Sequence, residues 1–244
     1  LRADPNPAPN RRTSATHHRA SRYPDTDDTH FSAMARQLPA HLSHKTALVL
    51  LPPSNIIAPI EVVRRVHDKQ FHRWPPHINL LYPFLENSCV RNKQDGGTES
   101  TLKHEIRTRI ERAVRDIAPF RMSLTADAPG AFNHSEKSYT VWLGPTTQNT
   151  QELCVALQAE FPEVNHDNRP FTPHLSVGQT RSQIGVDKLS EEVKKTVSEF
   201  LSTNGAEEDS PTALDWYVDR VCVIERKGFK DRFKVVAEIE LGKG

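Results

Sequence analysis

The sequence has 244 residues, enough for one large domain or two small ones, and its formal net charge of +1 gives no overall cationic field that would require a nucleic acid or membrane partner. An enzyme that acts on a strand end needs only a local basic groove, so RNA is not excluded. The longest apolar run, Ala47 to Leu51, is too short to cross a bilayer, and nothing resembles a secretory signal. Three widely separated cysteines without metal or redox spacing are typical of a reduced intracellular protein, so we expect the cytoplasm or the nucleus.

The first 43 residues differ in composition from the rest. They are rich in Pro, Asn, Arg, Ser, Thr and Asp and have almost no apolar periodicity, so they cannot bury enough surface to offset their ordering entropy. We predict a disordered tail over residues 1–43 and one folded domain over residues 44–244. Met34 is a candidate initiator, because the periodic pattern begins soon after it. Acidic residues such as Asp25 and Asp27 argue against a transit peptide.

After the tail, hydrophobic periodicity predicts alternating strands and helices. A continuous apolar run that two prolines end predicts a buried strand at 47–51, and apolar residues at helical spacing predict a helix at 58–71. The further elements are a strand at 77–84, a polar loop at 86–100, a helix at 101–117, strands at 120–124 and 139–143, a helix at 151–161, a strand at 171–179, a helix at 186–201, and strands at 214–225 and 233–241 joined as a hairpin.

The order of these elements divides into two halves of similar outline. The first half is strand, helix, strand, helix, strand, strand, and the second is helix, strand, helix, strand, strand. Each half has one histidine-containing strand near its centre. No residue-by-residue repeat links the halves, and they share only the order of their elements. That order predicts an α+β domain built from two related lobes.

The two histidine strands carry the functional signal. Each has a proline, a histidine, an apolar residue, a small hydrogen-bonding residue and another apolar residue. Alternate side chains of a strand share a face, so His77 and Asn79 point one way, and His174, Ser176 and Gly178 share a face of their strand. Residues two apart on a strand are about 6.6 Å from each other, close enough for both to reach one phosphate. Gly178 is predicted to leave room for substrate on that face.

The spacing His-x-Ser/Thr alone is a weak signal. It also begins at His30, His41 and His44, in or beside the predicted tail. His77 and His174 differ from these by their context, which is a preceding proline, apolar residues at both alternate positions and strand-like surroundings. Two segments of one style are more specific than either alone.

The two segments resemble the signature of the 2H phosphoesterases, which include the LigT-like 2′–5′ RNA ligases and cyclic phosphodiesterases. That signature is two His-x-Thr/Ser-x motifs, one in each of two pseudo-symmetric lobes that face each other across a groove. The resemblance covers Thr46 to about Leu241 and is strongest from Arg169 to Gly178. It implies that each lobe is an antiparallel sheet with helices packed outside. Asn79 departs from the pattern, since it occupies the usual Thr/Ser position, but its amide is also a hydrogen-bond donor.

The resemblance implies acid/base chemistry on a 2′,3′-cyclic phosphate or a related phosphodiester. A base must activate water and an acid must protonate the departing ribose oxygen, and histidine suits both tasks near neutrality. His77 and His174 are the predicted pair, with either as the base, while Asn79 and Ser176 would hold the nonbridging oxygens. Arg169, which flanks the second motif, is a further candidate for phosphate contact. The family mechanism uses no metal, and we predict neither a metal nor another cofactor.

Other interpretations of the same residues stay open. The fold would also suit a non-catalytic module that binds an RNA end or a nucleotide, or a scaffold with structural histidines. For the aromatic neighbours Tyr82, Phe84 and Phe171 we favour core packing over base stacking. Lys227 and Lys230 lie in a predicted hairpin turn, where lysine needs no special explanation. The expected partner is an RNA 3′ end or a small nucleotide with a cyclic phosphate. We expect the protein to be a monomer and to have no membrane partner.

Overall fold

The computed structural model describes residues 38–91, 100–164, 170–206 and 210–243. The helices are α1 (Ser54–His67), α2 (His104–Val114), α3 (Asn149–Glu160) and α4 (Gln183–Thr203). The strands are β1 (Leu42–Ser43), β2 (Thr46–Leu50), β3 (Ile78–Leu81), β4 (Phe84–Leu85), β5 (Cys89–Arg91), β6 (Ser100–Leu102), β7 (Phe120–Thr125), β8 (Gly130–Ser135), β9 (Ser138–Leu143), β10 (Leu175–Thr180), β11 (Ala213–Val218), β12 (Arg220–Glu225) and β13 (Lys234–Glu240).

Seven of these strands form the main sheet, in the order β13-β12-β2-β3-β10-β9-β8. Every pairing within it is antiparallel. The two strands that follow His77 and His174, β3 and β10, are neighbours and meet at the single pair Ile78 and Leu175. The antiparallel sheets and packed helices confirm the predicted α+β class, while the division into two lobes stays a prediction.

The sequence of β2 explains its place inside the sheet. All five of its residues are buried, because both faces of this strand are covered. Leu48 and Leu50 pack in the main core. Ala47 and Val49 pack in a second, smaller cluster that contains Phe233. This smaller cluster lies on the sheet face opposite the main core and also contacts Trp74.

The helices use the apolar positions that their spacing predicts. In α1 the buried apolar residues include Ile60 and Val63, and the helix packs against β10 and α4. Helix α2 buries three apolar residues, each about one helical turn after the last, and packs against α3 and β13. Within the described parts of the chain, no helix is long and apolar enough to cross a membrane. The packing of α1 on β10 brings its last turn beside the second histidine motif.

Several element boundaries differ from the prediction. The predicted strand at 214–225 is two strands in different sheets, because the chain turns at Asp219 between β11 and β12. Strand β8 was not predicted, since its sequence is polar and it lies at the sheet edge with mostly exposed side chains. The predicted loop at 86–100 contains β5 and the first residue of β6, and its residues 92–99 lie outside the described structure. The hairpin of β12 and β13 is confirmed.

The described chain begins before the predicted domain boundary at residue 44. Leu42 is buried and pairs with Leu85, and Ser43 pairs with Phe84. The His41 imidazole also lies 2.9 Å from the Glu163 carbonyl oxygen. Residues 38–43 are therefore part of the packed fold. The polar composition of the first 43 residues did not indicate that Leu42 packs in the core. The disorder predicted for residues 1–37 lies outside the described residues.

Candidate active site

A cavity of about 220 Å³ lies where β3 and β10 meet the end of α1. Three of the predicted site residues line it, namely His77, Asn79 and Ser176. The other lining residues are Arg64, Asp68, Gln70, Trp74, Tyr82 and Gln179. This volume is below the roughly 300–1,000 Å³ typical of sites that enclose a whole drug-sized ligand. The cavity therefore suits one small polar group, with the rest of a larger ligand outside.

The strand register explains why these residues share a face. Ile78 pairs with Leu175 in an antiparallel arrangement. Continuing that register, His77 lies opposite Ser176 and Asn79 lies opposite the residue before Leu175, which is His174. Directly opposed side chains on neighbouring strands have their Cβ atoms about 5 Å apart. The two motifs are thus related by an approximate two-fold axis through the central pair.

The two imidazoles are hydrogen-bonded in the same way. His77 Nδ1 lies 2.7 Å from the Pro75 carbonyl oxygen, and His174 Nδ1 lies 2.7 Å from the Thr172 carbonyl oxygen. A carbonyl oxygen only accepts, so Nδ1 carries the proton in both rings and Nε2 holds the lone pair. Each histidine therefore offers Nε2 for proton transfer. The repeated bond to the residue two positions earlier occurs in the same local sequence, a proline directly before the histidine.

Burial favours the neutral form of both rings. It lowers the pKa of His77 to about 4, with the charges of Arg64 and His174 acting in the same direction and the Pro75 carbonyl opposing them. Burial also lowers the pKa of His174, against the bond to the Thr172 carbonyl. At neutral pH both rings are therefore unprotonated at Nε2. An anionic phosphate between them would favour the protonated forms.

Aromatic rings hold each imidazole in place. Trp74 stacks on His77, with ring centroids 4.5 Å apart and planes at 14°. Phe132 meets His174 edge to face, with centroids 4.8 Å apart and planes at 84°. Trp142 stacks on Phe132, and a side chain at Gly130 would overlap its indole ring. These aromatic planes cover one side of each imidazole and so contribute to the burial that lowers the pKa values.

A buried ion pair joins the end of α1 to the site. Arg64 Nη2 lies 2.6 Å from Asp68 Oδ2, and both side chains are 2% exposed. Asp68 Oδ1 accepts from the Gln70 backbone N–H at 2.8 Å and from Gln179 Nε2 at 3.0 Å. Arg64 Nη2 also donates to the Trp74 carbonyl oxygen at 3.0 Å. The network ties α1 to β10 and to the ring that stacks on His77.

Two buried polar atoms of this cavity wall lack a protein partner. Arg64 Nη1 and Asn79 Oδ1 have no hydrogen bond to any described residue. A buried polar group left unpaired costs about 1–3 kcal/mol. The unused Arg64 donor, next to a neutral histidine, is suited to an anionic oxygen. The Asn79 side chain also carries an amide NH2 group, which can donate to a phosphate oxygen.

Of two further predicted residues, one needs correction and the other falls outside the described structure. Gly178 does not make room for substrate: a Cβ there would lie 2.6 Å from His67 Cβ and 3.0 Å from Leu189 Cδ2, so its small size admits α1. A β-bulge between Ser176 and Gly178 shifts the register and removes Gly178 from the cavity face. Arg169 lies outside the described residues.

The aromatic neighbours of the motifs divide between core and cavity. Phe84 is fully buried against Phe161, and Phe171 is partly buried against the main core, so core packing is confirmed for both. Core packing is wrong for Tyr82, which is 37% exposed and lines the cavity. The chain leaves the end of β3 at Tyr82-Pro83, which turns this ring outward.

Sequence reasoning missed Arg64, Asp68, Trp74 and Gln179. One signal was available, because Arg64 is four residues after Ile60 and therefore on the buried face of α1. A charged residue on an apolar helix face needs a buried partner, and Asp68 is one further turn along. Trp74 and Gln179 had no comparable signal, because the tertiary packing of α1 on β10 brings them to the cavity.

No other catalytic centre emerges from the described residues. Burial raises the pKa of Cys89 to about 11 and the pKa values of Cys154 and Cys222 to about 12, so these thiols are not poised as nucleophiles. Among the residues that the structure describes, no group of three or more His, Cys, Asp or Glu side chains is arranged to hold a metal ion.

Comparisons with known proteins identify relatives of this chain. The family model described as the 2′-5′ RNA ligase superfamily matches residues 52–229, which contain both histidine motifs. TT0787 of Thermus thermophilus is 17% identical with a TM-score of 0.46, over 81% of this chain and 98% of that chain. E. coli LigT complexed with 3′-AMP is 14% identical with a TM-score of 0.46, over 81% of this chain and 98% of that chain. Kluyveromyces marxianus Usb1 with uridine monophosphate is 12% identical with a TM-score of 0.40, over 81% of this chain and 99% of that chain. No curated protein matches the sequence.

Proposed function

The chain belongs to the 2′-5′ RNA ligase superfamily of 2H phosphoesterases, and from this premise we propose that it is a metal-independent phosphodiesterase that opens a 2′,3′-cyclic phosphate or cuts a related nucleotide phosphodiester. The observation that carries the proposal is the matched pair of imidazoles. Both donate Nδ1–H to the carbonyl two residues earlier at 2.7 Å, which leaves the Nε2 lone pair of each ring for proton transfer. The two rings directly precede the neighbouring strands β3 and β10, and His77 lines the cavity, whereas His174 is not among its lining residues.

The reaction assigns one proton transfer to each ring. The base takes a proton from water through Nε2 as the water oxygen bonds to phosphorus. The bond between phosphorus and one ribose oxygen breaks, and the second histidine, protonated, gives its proton to that oxygen. The product is a phosphate monoester beside a free hydroxyl group. Lowered pKa values suit this exchange, since a weakly basic imidazole is a good proton donor once a bound phosphate has charged it.

The remaining cavity groups would hold the phosphate. Ser176 and Asn79 lie beside the two imidazoles on the same strands and carry short hydrogen-bonding side chains. Arg64 adds a buried cation whose Nη1 has no hydrogen bond to any described residue. Donors fixed in advance at the position of a developing charge stabilise the transition state without reorganisation. The buried Asp68 keeps the guanidinium in this orientation.

The deciding experiment is turnover of purified protein on each of the four nucleoside 2′,3′-cyclic phosphates with excess chelator. We expect hydrolysis at an unchanged rate with and without the chelator, and the position of the product phosphate identifies which ribose oxygen departs. Saturable binding without turnover would instead support the binding module. Loss of turnover on chelation would overturn the metal-independent mechanism.

A further inference from the structure

A group of cations adjoins the cavity on its Trp74 and Tyr82 side, of which Lys227, Lys230 and Arg232 are exposed and Lys45 and Arg73 are half-buried. We call it the basic rim, and it comprises Lys45, Arg73, Lys227, Lys230 and Arg232 around the ring of Phe229. Lys227, Lys230 and Arg232 belong to the β12–β13 connection, which also includes Phe229. Arg73 lies between α1 and β3, and Lys45 lies in the turn between β1 and β2.

The rim is continuous with the cavity wall. Trp74, which lines the cavity, stacks on Phe233 at the end of the β12–β13 connection, with centroids 3.8 Å apart. The Phe233 backbone N–H donates to the Arg73 carbonyl oxygen at 2.8 Å. Arg73 Nη1 in turn lies 3.5 Å from the Phe229 carbonyl oxygen. A ligand that leaves the cavity past Trp74 therefore meets this connection directly.

The charge of the rim is strongly one-sided. Arg226 adds a sixth cation to these five, whereas Asp231 is the single acidic residue between positions 226 and 232. The Asp231 carboxylate accepts the Gly228 backbone N–H at 2.8 Å, so it shapes the turn. The excess is local, because the whole chain has a formal net charge of only +1. A concentrated positive field at the mouth of a phosphate-sized cavity attracts polyanions.

Phe229 is an exposed aromatic ring in a fixed position. It is 60% exposed, with Lys45 Nζ 5.6 Å and the Arg226 guanidinium 5.2 Å from its centroid. Arg226 is itself buried and donates to the carbonyl oxygens of His44 and Phe229. These bonds anchor the connection to the turn before β2. An exposed ring among cations is the combination that binds single-stranded nucleic acid, through base stacking and phosphate contacts.

The cavity size and the positive field at its mouth both favour a ligand that extends from the cavity onto the basic rim. About 220 Å³ accommodates a terminal phosphate ester but leaves the preceding nucleotides outside. The charges of Arg226 and Arg73 reach the Tyr82 hydroxyl, where they oppose the rise that burial causes in its pKa. The positive field thus extends from the exposed connection to the cavity itself.

We propose that the basic rim binds the single RNA strand that leads to the reacting end, so that an oligoribonucleotide is preferred over a free cyclic nucleotide. This inference rests on the proposed phosphodiesterase function. Lys227 and Lys230 contact backbone phosphates, and Phe229 stacks on an unpaired base. The strand is RNA because a 2′,3′-cyclic phosphate requires the ribose 2′-oxygen.

The test compares an oligoribonucleotide of about ten residues that ends in a 2′,3′-cyclic phosphate with cytidine 2′,3′-cyclic phosphate. Lys227→Glu/Lys230→Glu should lower kcat/KM for the oligomer by on the order of tenfold at low salt, while the value for the mononucleotide changes less than about twofold. The plot of log kcat/KM for the oligomer against log salt should become shallower by roughly 1.4, as two phosphate contacts are lost.

The matched control is Lys188→Glu/Lys195→Glu, which makes the same charge change on the exposed side of α4 and should leave both substrates as in the wild type. Phe229→Ala separates stacking from charge, and should lower oligomer kcat/KM roughly tenfold with an unchanged salt slope. Equal losses in the rim and control variants, or equal losses on both substrates, would overturn the inference.

A binding measurement keeps the rim testable if the wild type turns over neither substrate. Fluorescence anisotropy with a labelled, 3′-phosphorylated oligoribonucleotide should show weaker binding by Lys227→Glu/Lys230→Glu than by the control pair. That result with no turnover would reject the proposed enzyme and retain the RNA-binding rim. Equal affinity of the two double variants would reject the rim whatever the catalytic outcome.

Discussion

The His77 and His174 sides of the site share their local geometry and differ in their surroundings. Each imidazole bonds through Nδ1 to the carbonyl two residues earlier, at the same 2.7 Å. Only His77 lies under a face-to-face indole and near the charge of Arg64, whereas His174 meets the edge of Phe132. Similar sequence repeats the backbone bond, while contacts from distant segments set the electrostatics. The two histidines therefore offer the same Nε2 lone pair, but different surroundings set their pKa values.

The largest expected effect tests whether both sides are needed for catalysis. His77→Ala and His174→Ala should each lower turnover by on the order of a hundred- to ten-thousand-fold, because each removes one proton-transfer group. The double variant should be little slower than the slower single one, since the two act in one transition state. Steady-state kinetics on a cyclic nucleotide measures both effects.

His104→Ala is the control for these variants, since it removes an exposed imidazole at the start of α2. It should keep the wild-type rate, and circular dichroism should show that all four proteins are folded. If an active wild type retains its rate in both site variants, neither side carries the chemistry.

The second effect tests the buried ion pair of Arg64 and Asp68, which belongs to the His77 side of the site. Arg64→Gln should lower the free energy of unfolding by about 3–5 kcal/mol, because it leaves the Asp68 carboxylate buried without its cation. Arg64→Gln/Asp68→Asn should recover much of that loss, since both charges are gone. Urea unfolding of the two variants and the wild type measures the difference. A double variant that is less stable than the single one would contradict the buried-pair interpretation.

Acid should destabilise the protein more through His77 than through His174. The folded-state pKa of His77 is about 4 and its ordinary value is 6.5, so between those pH values the unfolded chain binds the extra proton. The resulting stabilisation is fully present above about pH 6.5 and is lost as the pH falls toward 4, by at most about 3 kcal/mol. The loss should be smaller in His77→Gln, because no imidazole then titrates at that position.

Urea unfolding from about pH 7 to about pH 4.5 measures this loss, and carboxylates contribute equally to wild type and variant. His174→Gln is the internal comparison, and its pH dependence should lie between those of the wild type and His77→Gln, because Arg64 acts on His77. Identical curves for wild type and His77→Gln would show that burial does not lower the pKa of His77.

The smallest effects concern the hydrogen-bonding partner of each histidine. Ser176→Ala should lower kcat less than either histidine variant, because it removes a single phosphate donor. Asn79→Thr restores the residue usual in the family and should keep or raise the rate, if Asn79 already donates to phosphate. Parallel kcat and KM measurements compare the two sides. A loss in Asn79→Thr as large as that in His77→Ala would show that Asn79 does more than hold an oxygen.

Local sequence sufficed for those parts of the site that depend on strand geometry. The alternation along a strand predicted that His77 and Asn79 share a face, and likewise His174 and Ser176. The register between β3 and β10 brings the two pairs together. Local sequence failed to predict the position of Gly178, because the β-bulge after Ser176 depends on the pairing with β9. Whether these residues catalyse the reaction stays a prediction that the variants above test.

Tertiary packing decided everything that depends on which segments meet. The α+β class and the two histidine motifs follow from periodicity and spacing, since these are properties of neighbouring residues, whereas the antiparallel sheets were implied by the resemblance to the 2H phosphoesterases. The stacking of Trp74 on His77 and the approach of the β12–β13 connection to the cavity depend on contacts between distant segments. The same is true of the burial of the Arg64–Asp68 pair, although these two residues are only one helical turn apart. In the sequence, Lys227 and Lys230 are ordinary turn residues; they become part of a cationic surface because Phe233 packs on Trp74, which is far earlier in the chain. Periodicity reports which side of an element is apolar, but the burial and charge around a titratable group depend on long-range contacts that only the folded chain forms.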